Sequence, residues 1–408
     1  MSERSERPDI AVVGAGILGL ATARELLVRH PDRQVTVLDK EDRVAAHQTG
    51  HNSGVLHAGL YYTPGSLKAR LCREGKAQVE AFAAEHGIPV DRCGKLVVAL
   101  GESELGRLDD LQARAEANGV AGLEVLGPAG IAEHEPHAVG VRALRSPGTG
   151  IIDFRRVAEA LAGDIVARGG TLALGRPVSG VERRPGEIVL ATPAGEVVAG
   201  HVIACAGLHA DALARELGDE GRERIVPFRG DYYTLVGDAK ALVRGLIYPV
   251  PDPRFPFLGV HLTKRIDGEV LAGPNAVLAF AREGYRRRDV RPGELAGVLG
   301  EPGFRRLAAR YWRTGAAEMW RDVSKRSFLR ALRRYVPALR ARDLSFGPSG
   351  VRAQAVDPDG TLVDDFRLGG DDRALTVRNA PSPAATASLA IAGVLADRAE
   401  QQFAALQR

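Results

Sequence analysis

Cysteine is scarce in this chain, with three residues among 408. Cys72, Cys93 and Cys205 are odd in number, lie far apart and show no C-x-x-C spacing. A disulfide framework and a cysteine-based zinc site are therefore excluded, and no metal is expected. A reducing, cytoplasmic location suits the chain best.

Long apolar runs are missing as well. No stretch reaches the roughly 18 apolar residues that a membrane-spanning helix needs. The polar start MSERSERPD has no signal-peptide pattern. Hydrophobic residues at 45% and charged residues at 26% indicate a globular protein and exclude a disordered or collagen-like chain. A chain of 408 residues suits two domains.

Acidic residues are nearly absent from residues 303–342, where two of them accompany twelve Lys or Arg. The local net charge of +10 leaves −6 for the rest of a chain whose total is +4. Both tryptophans, Trp312 and Trp320, lie here, and apolar residues from Met319 to Leu339 recur at roughly helical spacing. A solvated basic face over a packed apolar one is the first interpretation. Nucleic acid is not expected, because no recognition motif accompanies the charge.

Membrane contact through this basic segment, residues 303–342, is the alternative. Basic amphipathic helices with Trp at the interface can lie on anionic membranes. The residues expected to face the lipid are Arg321, Lys325, Arg330, Arg333 and Arg334, beside Trp320. The protein would then lie at the inner face of the cell membrane.

Glycine is abundant, and its most informative cluster is in IAVVGAGILGLATARELL, residues 10–27. A short apolar strand precedes Gly14, Gly16 and Gly19, and a helical pattern that includes Ile17 and Leu18 follows. The three glycines permit a tight turn, close approach of a pyrophosphate and close helix packing, respectively. The helix N-terminus adds free N–H groups and a positive dipole end. This arrangement predicts a dinucleotide site.

A second strand, QVTVLD, ends in Asp39, and Lys40 follows it. Asp39 comes about 20 residues after the glycines, where a carboxylate can bind the adenosine ribose hydroxyls. The next stretch, AAHQTGHNSGVLHAGLYY, is too short and polar for another strand and helix. Such a loop favours FAD over a nicotinamide cofactor, because FAD must be held along its length. The FAD contacts expected from this loop are His47, Thr49, His51, Asn52, Ser53, Gly54 and Val55.

Two later segments are expected to complete the cofactor site. HVIACAG contributes Ala206 and Gly207 before an amphipathic helix. RNAPSPAATASLAIAGVLADR leads into a helix predicted to begin near Ala384, whose dipole would favour negative charge at flavin N1 on reduction. The residues expected to contact FAD in this third segment are Asn379, Pro381, Ser382, Pro383 and Ala384.

The order of these segments resembles the D-amino-acid oxidase and glycerol-3-phosphate dehydrogenase superfamily. HQTGHNSGVLHAGLYYTPGSLKARLC, CGKLVVA, IVPFRGDYYTL and GPSGVRAQAVDPDGTLVDDF are similar to the L-2-hydroxyglutarate dehydrogenase/oxidase family within it. The resemblance spans residues 10 to about 398 and is weakest over 286–325. It implies hydride transfer from C2 of L-2-hydroxyglutarate to flavin N5, giving 2-oxoglutarate. A quinone or oxygen then accepts the electrons.

A dicarboxylate substrate needs cationic anchors, and arginine matches a carboxylate bidentately. Arg352 lies where the resemblance places a carboxylate-binding arginine, and it also counts among the residues near FAD. Arg229 and Arg254 compete for the second carboxylate, although each could instead pair with a nearby aspartate. Tyr248 is a further substrate contact or, alternatively, a core tyrosine.

A base must accept the hydroxyl proton. His57 is preferred, because it lies in the glycine-punctuated loop beside small residues where a flavin ring could approach. His261, on the strand FLGVHLT, is the rival. Covalent attachment of the flavin to a histidine is left open.

The predicted architecture is α/β, with a Rossmann-like FAD domain and a second domain built on a mixed or antiparallel sheet. Residues 1–90, 150–225 and 343–408 are assigned to the first, and 91–149 and 226–342 to the second. The FAD sheet is expected to be mostly parallel with helices on both faces. Two alternatives keep the fold: an enzyme acting on an amino acid or glycerol phosphate, and a non-catalytic flavin-bound module recruited to membranes.

Overall fold

The computed structural model describes residues 6–252 and 259–406. The strands there are β1 Ile10–Val13, β2 Val35–Leu38, β3 Val55–Leu56, β4 Val90–Asp91, β5 Lys95–Ala99, β6 Glu124–Leu126, β7 Arg142–Ser146, β8 Gly150–Ile152, β9 Thr171–Ala173, β10 Gly180–Arg184, β11 Glu187–Thr192, β12 Gly195–Ala199, β13 His201–Ala204, β14 Arg224–Leu235, β15 Leu246–Pro249, β16 His261–Lys264, β17 Val270–Gly273, β18 Val277–Leu278, β19 Leu344–Val356, β20 Arg367–Gly370 and β21 Ala374–Asn379. The α-helices are α1 Ile17–Arg29, α2 Leu67–Glu85, α3 Leu105–Ala117, α4 Pro128–His134, α5 Phe154–Ala167, α6 Ala210–Glu216, α7 Pro292–Gly300, α8 Pro302–Val323, α9 Lys325–Arg333 and α10 Ser388–Leu406.

β1 lies inside a six-stranded sheet of order β20-β21-β13-β1-β2-β9. All neighbours in this sheet run parallel except β20, which is antiparallel to β21. The four residues of β1 and the four of β2 are all buried. Such continuous apolar runs are typical of parallel strands covered on both faces. The predicted mostly parallel sheet is confirmed.

The two faces of this sheet are covered differently. Helices α1, α2, α5 and α10 share one apolar core with the first face. The other face packs mainly against the antiparallel sheet β10-β11-β12, joined by α6. Helices therefore lie on both faces, as predicted, but strands cover most of the second face, because the chain between β9 and β13 folds as strands instead of a crossover helix.

The second large sheet is mixed and has the order β18-β14-β17-β16-β15-β5-β7-β6, with β19 also paired to β14. The segment IVPFRGDYYTL contributes to β14, the described part of the predicted strand FLGVHLT contributes to β16, and Val270–Gly273 form β17. β19 runs antiparallel to β14 from Leu344 to Val356. This stretch therefore lies in the mixed sheet, whereas the sequence assigned residues 343–408 to the cofactor domain. The two-domain division otherwise stays a prediction.

The basic segment forms α8, which departs from helical geometry at Tyr311, and α9. Phe328, Leu332, Val336 and Leu339 are buried in the core of the mixed sheet, as the spacing predicted. Met319 is 53% exposed, so the predicted apolar face does not extend that far back. The side chain of Arg321 lies outside the described residues. None of the helices in the described ranges has the length and apolar character required to cross a bilayer.

Candidate active site

Two of the three motif glycines are required by the protein's own packing. Gly14 has a φ of +114°, and a Cβ there would lie 2.4 Å from the Cys205 carbonyl oxygen. A Cβ at Gly19 would lie 1.9 Å from the Gly14 carbonyl oxygen. Only glycine tolerates these positions, because the close approach excludes a side chain at both and the positive φ adds backbone strain at Gly14. Gly19 accordingly packs the helix and does not line the cavity.

Gly16 has a different reason to be glycine. It precedes α1 with an ordinary φ of −77°, and the nearest atom to a Cβ there would be Thr49 Oγ1 at 3.4 Å. The protein alone could accommodate a side chain at this position. The space in front of Gly16 opens into the main cavity, where the helix N-terminus attracts an anion. The Ile17 N–H donates to Thr49 Oγ1 at 3.0 Å, which holds the loop after β2 against the start of α1.

Asp39 shapes the same turn. Its Oδ2 accepts from the Ala15 N–H at 2.6 Å, and its Oδ1 accepts from the Glu41 N–H at 2.8 Å. A carboxylate has about four acceptor positions, so lone pairs remain for ribose hydroxyls. Asp39 lines the cavity at the carboxyl end of β2, as expected for a dinucleotide site.

One cavity of about 1270 Å³ connects the glycine turn to the residues expected to bind substrate. The predicted residues that line it are Gly14, Gly16, Ile17, Leu18, Asp39, Lys40, His47, Thr49, His51, Asn52, Ser53, Val55, His57, Ala206, Gly207, Tyr248, His261, Arg352, Asn379, Pro381, Ser382, Pro383 and Ala384. Gly54 is absent from this lining. Its φ of +73° and the hydrogen bond from the Ile152 N–H to its carbonyl oxygen, 2.8 Å long, show that it shapes the loop.

Lys40 and His47 belong to a charged cluster beside the expected cofactor cradle, which is formed by the open space at Gly16, the N-terminus of α1 and Asp39. Glu283 Oε1 lies 2.8 Å from Lys40 Nζ, 3.0 Å from His209 Nε2 and 3.5 Å from His47 Nε2. Burial alone would raise the pKa of Glu283, but hydrogen bonds from His209 and Lys40 lower it to about 2. Glu41 joins the cluster through Lys40 and His47. The Lys40 ammonium contacts both carboxylates and supplies the positive charge that a metal ion would bring.

His57 lies on the half-buried wall of the cavity. Its backbone N–H donates to Thr386 Oγ1 at 3.2 Å, and its ring Nε2 lies 3.5 Å from Ser382 Oγ. Burial, followed by the charges of Lys95 and Lys68, holds the pKa of His57 well below its usual value. The imidazole is therefore neutral at pH 7 and able to accept a proton.

His261 faces the same space from β16. Its Nδ1 lies 2.9 Å from the Gly259 carbonyl oxygen, which can only accept, so Nδ1 carries the proton and Nε2 the lone pair. Its ring stacks on Tyr248 with centroids 3.9 Å apart. Burial lowers the pKa of His261 to about 3, against the hydrogen bond to Gly259. The structure thus brings both predicted bases together in neutral form.

Arg352 extends from β19 as an exposed side chain on the cavity wall. After burial and the charge of Lys95, the charge of Arg352 also lowers the pKa of His261, which lines the same cavity. Tyr248 also lines the cavity, and its hydroxyl lies 3.3 Å from Thr263 Oγ1. Tyr248 therefore combines a cavity position with a partly satisfied core hydroxyl, which were the two alternatives from the sequence.

The candidates for the second carboxylate fare differently. Arg229 is 3% exposed, pairs with Asp231 at 3.0 Å and does not line the cavity. This geometry agrees with the alternative structural interpretation of Arg229, because a buried arginine needs a carboxylate partner. Arg254 lies outside the described residues.

The third cofactor segment starts its helix later than predicted. α10 begins at Ser388, not near Ala384. Turns occupy residues 382–387, with the Ala384 N–H bonded to the Pro381 carbonyl oxygen at 2.9 Å. The Ser388 N–H still bonds to the Ala385 carbonyl oxygen, three residues back, at 3.3 Å, so tight turns precede the regular helix. The turn itself lines the cavity.

Several residues near the site were missed by sequence reasoning. Lys68 lines the cavity and donates to Asp364 Oδ1 at 2.9 Å. Tyr285 lies 4.3 Å from the His51 ring, centroid to centroid, and Glu283 closes the Lys40 cluster. Lys95 is almost fully buried behind the cavity. Only Lys95 left a signal, as a charge at the start of the apolar strand KLVVA.

A family model of FAD-dependent oxidoreductases matches residues 9–398. The chain belongs to the FAD-dependent oxidoreductase family. The mitochondrial L-2-hydroxyglutarate dehydrogenase of Nematostella vectensis is 47% identical to this chain, and the aligned region spans 98% of this chain and 92% of that dehydrogenase. The L-2-hydroxyglutarate dehydrogenase of Indibacter alkaliphilus is 45% identical over 97% of this chain and 99% of its own.

The solved structures agree on the fold of this FAD-dependent oxidoreductase. The dithionite-reduced L-alpha-glycerophosphate oxidase of Mycoplasma pneumoniae, with FAD bound, superposes with a TM-score of 0.77 at 21% identity, covering 97% of this chain and 94% of that one. The residues present fit FAD, because the open space at Gly16, the helix N-terminus and Asp39 form a cradle for its pyrophosphate and ribose. The α/β fold and the FAD cofactor predicted from the sequence are thus confirmed.

Proposed function

We propose that this FAD-dependent oxidoreductase oxidises L-2-hydroxyglutarate to 2-oxoglutarate. The observation that carries the proposal is the single cavity in which the cofactor cradle meets Arg352 and two neutral histidines. The names of the relatives at 45–47% identity over nearly the whole chain support the same substrate. Bound FAD supplies the acceptor for the hydride that leaves C2.

Arg352 is proposed to bind one substrate carboxylate. A planar guanidinium on the cavity wall can hold a carboxylate bidentately and so orient C2. Arg254 stays the candidate for the second carboxylate, since its near neighbours Pro251 and Asp252 line the cavity. Arg229 is withdrawn from this role, because it is turned to Asp231.

His57 is proposed as the base that takes the hydroxyl proton. Among the residues that the structure describes, its Nε2 contacts Ser382 Oγ at 3.5 Å, whereas His261 is fixed by Gly259 and by stacking on Tyr248. His57 also lies beside the small residues Ala58 and Gly59, which leave room for the flavin ring next to it. His261 is the alternative base.

The electrons are proposed to pass to a quinone or to oxygen. A quinone acceptor would fit peripheral membrane contact through the basic segment. Trp312 and Trp320 are 63% and 66% exposed there, and most of the neighbouring arginines are exposed as well. Reoxidation by oxygen and by a soluble quinone, compared by stopped-flow absorbance, separates the two acceptors.

Anaerobic reduction tests the substrate. L-2-hydroxyglutarate should bleach the flavin of the purified holoenzyme and release 2-oxoglutarate in equal amount, whereas the D-enantiomer should not. Bleaching only by an amino acid or by glycerol phosphate would replace the proposed substrate but keep the enzyme class. No bleaching by any hydroxy acid, amine or phosphate would favour the non-catalytic module.

A further inference from the structure

Lys95 occupies a position that the strand pattern reserves for an apolar residue. In β5, Val97 and Ala99 face the apolar cluster that contains Leu60 and Tyr248, whereas Leu96 and Val98 face the opposite core. Side chains alternate along a strand, so Lys95 points to the same side as Val97. It is 2% exposed. A lysine is almost never this buried without a partner.

The ammonium lies against aromatic rings. Nζ is 4.1 Å from the centroid of Tyr248 and 5.2 Å from that of Tyr61, and both tyrosines line the cavity. Ring faces attract a cation but do not neutralise it. In residues 6–252 and 259–406, the hydrogen bonds and ion pairs provide no carboxylate partner for Lys95, and the Tyr61 hydroxyl is buried without a hydrogen-bond partner.

The titratable groups around Lys95 do not provide an anion either. They are Cys72 of α2, Cys93 before β5, the two tyrosines, His57, His261 and the cationic Lys68. Burial raises the pKa of Cys72 to about 12 and that of Cys93 to about 11, and it raises the pKa of both tyrosines above their usual values. All four are therefore neutral at pH 7.

We propose that Lys95 is a positioning residue for the substrate, whose ammonium compensates the second negative charge of a bound dicarboxylate from behind the wall formed by Tyr61 and Tyr248. This rests on the proposed function, which brings a dianion into a cavity with Arg352 on its wall. Lys95 acts at a distance through a low-dielectric wall, where charges interact more strongly than in water. It thereby favours a dicarboxylate over a monocarboxylate.

Binding of a dicarboxylate is coupled to protonation of Lys95. Burial lowers the pKa of Lys95 to about 7, so part of the empty enzyme holds a neutral amine at neutral pH. A bound dianion raises this pKa, and by reciprocity the protonated enzyme binds the dianion more tightly. Each unit of pKa shift corresponds to a tenfold difference in affinity. Binding of a dicarboxylate should therefore take up a proton above pH 7.

The test uses glutarate and butyrate, which differ by one carboxylate and carry no hydroxyl to oxidise. Their dissociation constants for the holoenzyme are measured from the flavin absorbance change between pH 6 and 9. Glutarate should bind up to about tenfold more weakly for each pH unit above 7, and butyrate weakly with a shallower pH dependence. Lys95→Met should bind glutarate at least about tenfold more weakly at pH 6 and lose the pH dependence.

Lys264→Met is the matched control, because Lys264 lies in the same sheet but pairs with Asp91 at 2.9 Å. It should leave glutarate binding and its pH dependence unchanged. Removing the buried charge of Lys95 should also raise the melting temperature, most below pH 7. The gain should fade between pH 7 and 10.5, where only the unfolded lysine stays protonated. A purely structural lysine would instead lower the melting temperature when replaced.

Calorimetry of wild-type enzyme keeps the proposal testable should Lys95→Met not fold. Glutarate heats measured at pH 8 in two buffers of different ionisation enthalpy should reveal uptake of about 0.4 proton for a tenfold coupling, rising to about 0.9 for a thousandfold one. Binding without proton uptake, or unchanged pH dependence in Lys95→Met, would overturn the role of Lys95 even if L-2-hydroxyglutarate bleaches the flavin. A wild-type enzyme that takes up the proton with glutarate but is not bleached by L-2-hydroxyglutarate would instead overturn the proposed substrate.

Discussion

The carboxylate of Glu283 lies 2.8 Å from the ammonium of Lys40 and joins the loop after β18 to the end of β2. The same segment binds the first turn of α6 through Arg282 and Asp211, whose closest atoms are 2.6 Å apart. Lys40 and Glu283 both line the cavity. The cofactor cradle is therefore stabilised by charges that arrive from a part of the chain about 240 residues away.

Glu283→Gln should lower the melting temperature at pH 7. The pKa of Glu283 is depressed in the folded state, so its contribution is present above the unfolded value of 4.5 and is lost as pH falls towards 2. The difference between variant and wild type should accordingly shrink between pH 4.5 and 2, as measured by circular dichroism. Glu182→Gln removes an exposed carboxylate paired with Arg184 and should change little at any pH. An equal effect of the two changes would contradict this prediction.

Gly16→Val should fold but lose FAD. A side chain at 16 meets only an ordinary contact with Thr49, so the clash falls on the pyrophosphate. Flavin content after purification and the far-ultraviolet spectrum measure the two properties. Gly19→Val is the contrast, since its side chain strikes the Gly14 backbone and should prevent folding. A fully yellow Gly16→Val protein would refute the cradle.

Arg352→Lys keeps the charge but loses the planar fork. We expect it to weaken binding of L-2-hydroxyglutarate by about 1.5–3 kcal/mol, the scale of a hydrogen bond to a charged group. Arg229→Lys is a matched control on the neighbouring strand, because Arg229 pairs with Asp231 and does not line the cavity. It should change stability more than substrate binding. Equal loss of affinity in both variants would mean that neither arginine acts as a specific anchor.

His57→Gln and His261→Gln separate the base from the orienting histidine. Loss of the base should slow anaerobic flavin reduction by about 10²–10⁴-fold. We expect this effect for His57→Gln, with a larger change in the dissociation constant for His261→Gln. Because both pKa values are depressed, the wild-type reduction rate should fall only below the usual histidine value of 6.5. The reverse pattern in the two variants would make His261 the base.

Vesicle binding tests the basic segment. Each basic residue near an anionic surface contributes about 1 kcal/mol, so attachment should be released by salt. The wild type should co-sediment with anionic vesicles at low ionic strength, whereas Arg330/Arg333/Arg334→Glu should stay in solution with unchanged flavin reduction. All three arginines are exposed, which makes them suitable targets. Failure of the wild type to bind would favour the solvated basic face, and loss of folding in the variant would assign the arginines to structural contacts.

The sequence determined the cofactor half of this protein to a large extent. The turn after β1 leaves almost no freedom, since Gly14 and Gly19 are fixed by local clashes and Asp39 follows at a set distance. Contacts between residues that are close in the chain can be recognised from local residue spacing. For the same reason, the buried spacing of Phe328 and Leu332 was readable.

Tertiary structure alone decided the rest. In the sequence, Arg352 was the preferred carboxylate anchor and Arg229 one of two candidates for the second carboxylate. The ladder of β14 and β19 turns Arg229 to Asp231 and leaves Arg352 on the cavity wall. The role of Glu283 depends on Lys40, and the surroundings of Lys95 depend on Tyr248, and both partners lie far away along the chain. Side-chain direction, burial and counter-charges depend on which distant strands pair, and residue spacing does not encode that pairing.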